Sequence, residues 1–388
     1  MNIPIAKTNL LDSEIESVLS PLHSGWLVQG PRVKEFEDKW SAFTNADHSI
    51  AVTSCTSALH LSLAALGFGP EDEAIVPAFT WISTANVIEH LGGRVVFCDI
   101  DLETFNLDIS ALESKVTKRT KAILPVHLFG LPADMDPIVQ LANKYNLRIV
   151  EDAACGFGSL YKGMHVGNAG DTGCFSFHPR KAITTGEGGM VTTNDEAIAE
   201  KIRRLRDHGA EMTDLQRHHG ARPYLLADHP DAGYNQRMTD LQGALGSSQM
   251  DRAHDIVEER RAIADRYNKA FQDIPWLNKP FTGKGFTHGY QSYPCLFEPE
   301  GISENSIPRI NSLRNSWMDQ LQEDGISTRP ATHAVHMLSY YRKKYRIEPK
   351  AFPKAYAADQ CSISFPLFHG MKEEDQDFVI EKVLEYQP

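Results

Sequence analysis

Residues 176–189 read S-F-H-P-R-K-A-I-T-T-G-E-G-G and separate two short segments, 174–177 and 190–193, that have the character of β-strands. A tight turn between two strands needs backbone freedom, which glycine supplies. Three glycines lie near the end of this turn: Gly186, Gly188 and Gly189. The turn also carries one lysine, Lys181, just after Pro179. We therefore take this stretch as the centre of the fold and work outward from it.

Lys181 has two interpretations. The chain contains 39 lysine and arginine residues, and most of them are expected to be solvated surface charges. A lysine on a short pinned loop in an apolar setting, however, can be kept partly uncharged by desolvation. An uncharged lysine amine attacks carbonyl groups, which is how a Schiff base with pyridoxal phosphate forms. The residues around Lys181 favour this second interpretation.

Composition excludes several classes of protein. With 388 residues the chain has room for two or three domains, and a hydrophobic fraction of 41% is ample for a large core. A net charge of −12 argues against a nucleic-acid surface, and no apolar run is long enough to span a bilayer. The N-terminus lacks the pattern of a secretion signal. Six scattered cysteines without a C-x-x-C pair favour buried thiols in a reducing compartment, so we expect a cytoplasmic protein without a metal site.

The first half of the chain alternates predicted strands with predicted helices. The strands are expected at 49–52, 74–77, 94–98, 122–126 and 147–152, and the helices at 59–66, 81–90, 110–116 and 134–145. This alternation is typical of an α/β fold whose mainly parallel sheet is flanked by helices on both faces. Ligands of such sheets bind at the carboxyl ends of the strands.

Polar and aromatic side chains stand at those carboxyl ends. Thr56 and Ser57 begin a helix, where small hydroxyl residues either cap the helix or bind a phosphate. Trp81 follows another strand and either packs in the core or stacks on a flat cofactor. Asp152 ends an apolar strand, where it either caps the next segment or pairs with a cation such as a protonated pyridine nitrogen. Dinucleotide and P-loop motifs are absent from the sequence.

The last third of the chain predicts a smaller α/β domain. We expect helices at 239–271, 304–324 and 372–386 and a strand at 289–297. The charged pairs of the first of these helices are expected on a solvated face. We therefore divide the chain into a large cofactor-binding domain, 1–245, and a C-terminal domain, 246–388. His333 and His336 are spaced i, i+3, but no third metal ligand stands out, which argues against a metal site.

Taken together, these motifs resemble the DegT/DnrJ/EryC1/StrS family of nucleotide-sugar aminotransferases, within the fold-type I pyridoxal-phosphate enzymes (aspartate-aminotransferase-like). The matching stretches are T-S-C-T-S-A-L-H-L-S-L (53–63), V-P-A-F-T-W-I-S-T-A-N (76–86), E-D-A-A (151–154), G-D-T-G-C-F-S-F-H-P-R-K-A-I-T-T-G-E-G-G-M-V (170–191), G-Y-N-Q-R-M-T-D-L-Q-G-A-L-G (233–246) and G-I-S-T-R-P (325–330). They run over almost the whole chain, and the lysine-containing stretch is the most specific.

The resemblance implies pyridoxal 5'-phosphate as cofactor and assigns residues to it. Lys181 would hold the cofactor as a Schiff base and move the proton between substrate and cofactor carbons. Asp152 would pair with the pyridinium nitrogen, and Trp81 would stack on the ring. The phosphate would be held by Thr56, Ser57 and Ser176.

The resemblance also implies a homodimer with shared active sites, in which Asn235 reaches the phosphate of the partner subunit. Arg237 and Arg329 are candidate anchors for the donor carboxylate or the nucleotide phosphates. His178 would contact the sugar, and His336 is a weaker substrate candidate.

Two positions separate this chain from some relatives. Relatives often carry Gln or His after E-D-A-A, where that side chain contacts the phenolic oxygen of the cofactor. This chain has Cys155, a poor hydrogen-bond donor. Relatives with His in place of the lysine act as dehydratases, and the lysine at position 181 favours transamination.

The implied reaction moves an amino group from L-glutamate to C4 of a nucleotide-linked 4-keto-6-deoxy sugar. The F-H-P before the lysine resembles relatives that act on UDP-linked sugars, and S-T-R-P and H-A-V-H resemble GDP-perosamine synthases, so the nucleotide stays open. The implied pathways build surface polysaccharide, lipopolysaccharide O-antigen or other glycans. Three alternatives remain: a C3-aminotransferase acting on a dTDP-linked 3-keto sugar, a pyridoxal-dependent dehydratase, and a silent sensor.

Overall fold

Strands and helices alternate along the first half of the chain in the predicted order. We describe a computed structural model over residues 2–212, 224, 226–281 and 283–388. Its strands are β1 His48–Val52, β2 Glu73–Pro77, β3 Phe79–Thr80, β4 Arg94–Cys98, β5 Thr120–Ile123, β6 Arg148–Asp152, β7 Leu160–Tyr161, β8 Met164–His165, β9 Thr172–Ser176, β10 Gly189–Thr193, β11 Leu277–Asn278, β12 Phe286–Thr287, β13 Tyr293–Phe297, β14 His333–Ala334 and β15 Ser362–Phe365.

Helices of very different lengths connect these strands. They are α1 Asp12–Ser24, α2 Pro31–Thr44, α3 Cys55–Ala65, α4 Ser83–His90, α5 Ile109–Leu112, α6 Met135–Tyr145, α7 Glu196–Arg206, α8 Asp240–Met250, α9 Ala253–Ala270, α10 Ile307–Glu323, α11 Ser339–Tyr345, α12 Pro353–Cys361 and α13 Glu373–Glu385. Short 3-10 turns occur at Glu113–Lys115, Leu128–Gly130, Val335–Met337 and Pro349–Ala351.

Seven strands form the main sheet, in the order β1-β10-β9-β6-β5-β2-β4. Strand β10 is antiparallel to both neighbours, and the pairs from β9 to β4 are parallel. The strands on the parallel side are nearly continuous apolar runs because helices cover both faces. The predicted α/β fold with a mainly parallel sheet is therefore confirmed. A smaller antiparallel sheet, β11-β13-β15, lies in the C-terminal part, and the division of the chain at residue 245 stays a prediction.

Aromatic packing attaches the N-terminal helices to the sheet. Trp40 of α2 is buried, and its ring meets those of Phe157, Phe175 and Phe177 at centroid distances of 5.0–5.7 Å. Burying such a side chain stabilises the fold by roughly 1.5–3 kcal/mol. Phe175 belongs to β9 and Phe177 begins the lysine-containing loop, so α2 supports that loop from behind.

A carboxylate from α8 holds the start of α2. Asp240 Oδ1 accepts hydrogen bonds from the N–H groups of Gly30 and Val33 at 2.8 and 3.0 Å. Gly30 has no room for a side chain, because a Cβ there would lie 2.1 Å from Nε1 of Trp26. The hydrogen bonds to Asp240 therefore join α2 to α8, the helix that follows the G-Y-N-Q-R motif.

The structure corrects two predictions for residues 239–271. The single predicted helix is two helices, α8 and α9, because Arg252 leaves helical geometry at φ −119° and ψ 23°. No glycine or proline signals this break. Instead, the guanidinium of Arg252 binds Glu14 and the carbonyl of Asn9. The charges of this region are also not all solvated, since Arg260 is buried.

In the part of the chain that the structure describes, no helix is long and apolar enough to cross a bilayer. The same residues contain no cluster of three histidine, cysteine or carboxylate side chains that could hold a metal ion.

Candidate active site

The loop between β9 and β10, residues 177–188, is folded around its own backbone. The N–H of Phe177 donates to the carbonyl of Gly188 at 2.9 Å, and the Phe177 carbonyl accepts from the N–H of Thr185 at 3.0 Å and from the hydroxyl of Thr184 at 2.8 Å. The N–H of Lys181 donates to the carbonyl of His178 at 2.8 Å. The loop is therefore a compact structure that presents Lys181 at a fixed place.

The three glycines of this loop serve different purposes, which corrects the prediction that all three supply backbone freedom. Gly186 has a left-handed φ of 81°. Gly188 and Gly189 do not, and the role of these two is to leave space. A Cβ on Gly189 would lie 2.4 Å from the backbone of Ser54. The missing side chain lets the start of β10 approach the start of α3.

Lys181 is half-buried, and its Nζ lies 3.2 Å from Sγ of Cys155. Burial disfavours the ammonium form, but Cys155 and Asp152 favour it more strongly, so the pKa of Lys181 lies above its ordinary value. The prediction that desolvation keeps this amine partly uncharged is therefore wrong for the protein without cofactor. The physical reason is that Cys155 accepts a hydrogen bond from the amine and that Asp152 lies near enough to attract its positive charge.

Asp152 ends β6 and is buried. Its Oδ2 accepts a hydrogen bond from the hydroxyl of Thr84 at 2.6 Å, and its Oδ1 accepts one from the N–H of Ala154 at 3.1 Å. Burial raises the pKa of this carboxyl, and these hydrogen bonds partly offset the effect. Across the described residues, no cationic side chain lies within ion-pair distance of Asp152.

That buried carboxylate provides a test of whether the residues fit pyridoxal phosphate. A buried carboxylate without a cationic partner is costly, and a protonated pyridine nitrogen would supply the missing positive charge. Lys181 lies near enough to Asp152 for its positive charge to lower the pKa of that carboxyl. A lysine amine and an uncompensated carboxylate are the two groups that this cofactor needs, so the site fits it.

A second buried carboxylate, Glu151, precedes Asp152 in β6 and helps to fix the end of that strand. Glu151 is fully buried, and its Oε2 lies 2.7 Å from Nε2 of His127. Nδ1 of His127 accepts from the N–H of Ala133 at 3.0 Å, so the proton is on Nε2 and is donated to Glu151. The backbone N–H of His127 in turn donates to the carbonyl of Asp152 at 3.0 Å. The end of β6 is thereby fixed.

Hydroxyl groups cluster where β1 meets α3. The hydroxyl of Ser57 lies 2.8 Å from that of Thr53 and 3.0 Å from that of Ser54, and Ser54 caps the helix by accepting the N–H of Ser57. The hydroxyl of Thr56 donates to that of Ser83 at 3.0 Å. Hydroxyl donors at the positive end of a helix form a suitable phosphate site. The structure therefore shows that Ser54 caps α3. Phosphate binding by Thr56 and Ser57 stays a prediction.

Other predicted cofactor contacts differ in their surroundings. Trp81 is 60% exposed, and its ring centroid lies 6.0 Å from that of His333. Most of the side chain is therefore accessible, which is compatible with stacking on a cofactor. Ser176 is half-buried at the end of β9, and its hydroxyl accepts a long 3.5 Å contact from the N–H of His178.

Asn235 lies on an exposed segment beside the end of β1. The neighbouring carbonyl of Gln236 accepts from the N–H of Thr53 at 3.1 Å, which holds the segment next to the hydroxyl cluster. Arg237 is half-buried and forms an ion pair with Asp207. Its charge is thus already compensated, whereas Arg329 is exposed and has no ion-pair partner among the described residues.

The two predicted substrate histidines have different environments. His178 is half-buried in the lysine loop, and burial lowers its pKa. His336 is fully buried among Phe97 and Phe352, and its Nε2 donates to the carbonyl of Pro349 at 2.8 Å. No part of the His336 side chain reaches the surface in this structure, and its contact with the substrate stays a prediction.

Sequence reasoning missed residues that hold the predicted site. Thr84 donates to Asp152, and its place at the start of a helix within the 76–86 motif was the available signal. Cys155 was noted as a departure, but not as the partner of Lys181. Gln249 binds both backbone groups of Thr184, with bonds of 3.0 and 2.6 Å, and nothing in the sequence pointed to it.

Comparison with known proteins gives the site its context. The chain matches the DegT/DnrJ/EryC1/StrS aminotransferase family over residues 9–384. The chain belongs to this family. Spore coat polysaccharide biosynthesis protein SpsC of Bacillus subtilis (strain 168) is 40% identical over 371 residues, which cover 95% of this chain and 93% of SpsC. GDP-perosamine synthase of Escherichia coli O157:H7 is 36% identical over 99% of this chain and 98% of the synthase.

Solved structures extend the comparison to the cofactor. Spr1654 of Streptococcus pneumoniae, assigned as a sugar aminotransferase, is 30% identical in its PMP form, with a TM-score of 0.89 over 98% of each chain. A structure of the same protein in its PLP form is similar as well. The DegT/DnrJ/EryC1/StrS fold, the pyridoxal-phosphate cofactor and the predicted enzyme class, a sugar-nucleotide aminotransferase, are thereby confirmed.

Proposed function

We propose that this enzyme transfers an amino group from L-glutamate to C4 of a nucleotide-linked 4-keto-6-deoxy sugar, as a step in building a surface polysaccharide. The observation that carries the proposal is the buried carboxylate of Asp152, which has no ion-pair partner among the described residues and lies near enough to Lys181 for the two charges to interact. GDP-perosamine synthase, a relative over nearly the full length of both chains, supports a sugar linked to GDP. SpsC supports a role in polysaccharide synthesis.

Lys181 has the central role in this proposal. Its amine would hold the cofactor aldehyde. Once the amino group of the donor had replaced it there, the freed amine would take the proton from the α carbon of the donor and later return a proton, so it serves as base and acid in turn. Because Cys155 and Asp152 raise the pKa of the amine, it must first lose its proton. Bound pyridoxal phosphate supplies an electron sink for the carbanion that forms on deprotonation.

Asp152 keeps that sink effective. Its carboxylate would pair with the pyridine nitrogen of the cofactor and keep that nitrogen protonated. The hydroxyl of Thr84 and the N–H of Ala154 fix both carboxylate oxygens, so the charge meets the ring in one orientation. The hydroxyls of Thr56, Ser57 and Ser176 hold the phosphate in this proposal.

The substrate-facing residues follow from exposure and charge. Arg329 is exposed and has no ion-pair partner among the residues described, which supports it as an anchor for the donor carboxylate or a nucleotide phosphate. Arg237 is a weaker anchor because Asp207 already neutralises it. His178 lies in the lysine loop, which supports it as a contact for the sugar.

A homodimer completes the proposal, with Asn235 serving the phosphate of the partner subunit. Its exposure supports this role. Helix α1 adds an apolar stripe to the surface, since the side chains of Ile15, Leu19 and Leu22 are 37–54% exposed. Such a stripe is typical of a surface covered by another chain. A location in the cytoplasm stays a prediction.

The visible absorbance of the purified protein, measured before and after addition of L-glutamate, tests the first half-reaction. We expect a yellow Schiff-base band that bleaches with L-glutamate, and no covalent attachment in Lys181→Ala protein. A band that does not change when L-glutamate is added would contradict the donor assignment. That result would favour a pyridoxal-dependent dehydratase or a silent sensor.

A panel of sugar nucleotides tests the second half-reaction. GDP- and UDP-linked 4-keto-6-deoxy sugars are compared with a dTDP-linked 3-keto sugar, and the aminated carbon is located by NMR. An amino group at C3 would overturn the C4 assignment and favour a C3-aminotransferase acting on a dTDP-linked 3-keto sugar.

A further inference from the structure

The carboxamide of Gln291 binds the backbone on both sides of Lys181. Its Nε2 donates to the carbonyl of Arg180 at 2.7 Å, and its Oε1 accepts from the N–H of Ala182 at 3.1 Å. The side chain is buried, at 8% exposure, and lines a small cavity together with Lys181 and Ser176. One side chain therefore fixes the peptide groups next to the cofactor lysine.

Gln291 is itself presented by a rigid bend, residues 288–292. Tyr290 has a left-handed φ of 47°, a conformation that costs free energy for a bulky residue and persists only where its surroundings enforce it. Nδ1 of His288 accepts from the N–H of Tyr290 at 2.8 Å, and the two rings stack with centroids 4.0 Å apart. The N–H of Gly289 donates to the carbonyl of Gly130 at 2.8 Å.

A buried arginine of α9 holds the same bend from the other side. Nε of Arg260 donates to the carbonyl of Tyr290 at 2.9 Å, and its terminal nitrogen donates to the carbonyls of Gln291 at 2.7 Å and Leu367 at 3.5 Å. Burial lowers the pKa of Arg260 to about 10, and no carboxylate lies within ion-pair distance of it among the described residues. A buried guanidinium must be satisfied by hydrogen bonds, and here backbone carbonyls do so.

We propose that Gln291 is a positioning residue for Lys181, which holds the lysine backbone in the orientation that lets the amine reach the cofactor aldehyde. The inference rests on the proposed role of Lys181 as the cofactor lysine. Small errors in the orientation of a nucleophile cost large factors in rate, because the reacting atoms must meet in a narrow range of geometry. The bend around Gln291 is fixed independently of the lysine loop, so it can impose that geometry.

The test compares two glutamine-to-methionine variants of the full chain. Gln291→Met keeps the side-chain volume and removes both hydrogen bonds. Gln376→Met is the matched control, since Gln376 is also buried and donates to the carbonyl of Ile263 at 2.7 Å, outside the lysine loop. The apoprotein is mixed with pyridoxal phosphate, and the rate of covalent capture is followed by visible absorbance. The melting temperature of each variant is measured in parallel.

We expect capture by Gln291→Met to be about tenfold slower, as the loss of one or two net hydrogen bonds implies. The Gln376→Met control is expected to capture at the rate of the unaltered protein while losing a similar amount of melting temperature. Equal capture rates for the two variants would overturn the positioning role and leave Gln291 a structural residue.

Gln291→Glu keeps the test decisive if the methionine variant does not fold. Glutamate still accepts from the N–H of Ala182 but cannot donate to Arg180, and its charge favours the ammonium form of Lys181. The pH profile of capture is therefore expected to move to higher pH, and an unchanged rate and profile would contradict the inference. Borohydride reduction and peptide mapping separate this result from the underlying assignment. Label on another lysine of the unaltered protein would overturn the role of Lys181 itself.

Discussion

The sulfur of Cys155 is the side-chain partner of the Lys181 amine, at 3.2 Å. The resemblance to the family implies that a Gln or His at this position can contact the phenolic oxygen of the cofactor. Here a thiol stands beside the amine and, with Asp152, raises the pKa of the lysine despite its burial. The presence of Cys155 in place of Gln or His therefore affects the pKa of the Lys181 amine.

Cys155→Ala is expected to lower the pKa of Lys181, because one favourable interaction with the ammonium form is removed while burial remains. A larger fraction of the amine is then uncharged at a given pH, so the rate of cofactor capture should reach its plateau at lower pH. Cys361→Ala, which alters a buried thiol at the end of α12, is the control. An unchanged pH profile for Cys155→Ala would show that the contact with Cys155 does not affect the pKa of Lys181.

Thr84→Val is expected to raise the pKa of Asp152 further, because the Thr84 hydroxyl stabilises the carboxylate. Asp152 must be ionised to hold the pyridinium, so activity should be lost at a higher pH as the solution is acidified. One hydrogen bond to a charged group corresponds to a shift of about one pH unit in the acidic limb of kcat/KM. Thr44→Val, which removes the buried hydroxyl bond to the carbonyl of Trp40, should leave that limb in place.

At the scale of elements, the site depends on contacts between parts of the chain that are distant in sequence. Loop 177–188 is held by α2 through the ring of Phe177, by α8 through Gln249 and by the 288–292 bend through Gln291. Helices α2 and α8 follow local sequence signals, whereas the 288–292 bend also depends on its contacts with Gly130 and Arg260. Only their packing fixes the lysine, so substitutions in them are expected to affect both stability and catalysis.

Asp240→Ala tests the junction between α2 and α8. The substitution leaves the N–H groups of Gly30 and Val33 without their acceptor, and lost capping bonds of this kind cost about 2 kcal/mol. The free energy of unfolding from urea titration measures the effect. Asp38→Ala, which alters an exposed side chain on α2, should change the free energy of unfolding by less than about 0.5 kcal/mol. Equal losses would contradict the capping role.

At the scale of the whole molecule, the proposed homodimer makes each active site depend on two chains. Lys181→Ala protein keeps Asn235, and Asn235→Ala protein keeps Lys181. If Asn235 serves the partner's site, mixing the two inactive variants restores one intact site in each mixed dimer. About a quarter of the activity of the unaltered protein is then expected after subunit exchange. No recovery, in a mixture shown to contain mixed dimers, would place Asn235 in the site of its own chain.

The architecture was predictable to the extent that it follows from local periodicity. Strand β4 begins and ends at the predicted residues, and the α/β class follows from the alternation of elements. The break between α8 and α9 was not predictable, because Arg252 leaves the helix where it binds Glu14, and no local residue type marks the place. The burial of His336 depends on rings from residues far away in sequence.

The sequence by itself determined the order of the elements, the family and the presence of a lysine and a carboxylate suited to pyridoxal phosphate. These properties follow from residue types and spacings, which a chain carries before it folds. The tertiary structure decided the pKa of Lys181, the burial of Asp152 without an ion-pair partner and the hydrogen bonds of Gln291 to the lysine loop. These properties arise from distances between residues separated by tens to hundreds of positions, and such distances exist only once the chain has packed.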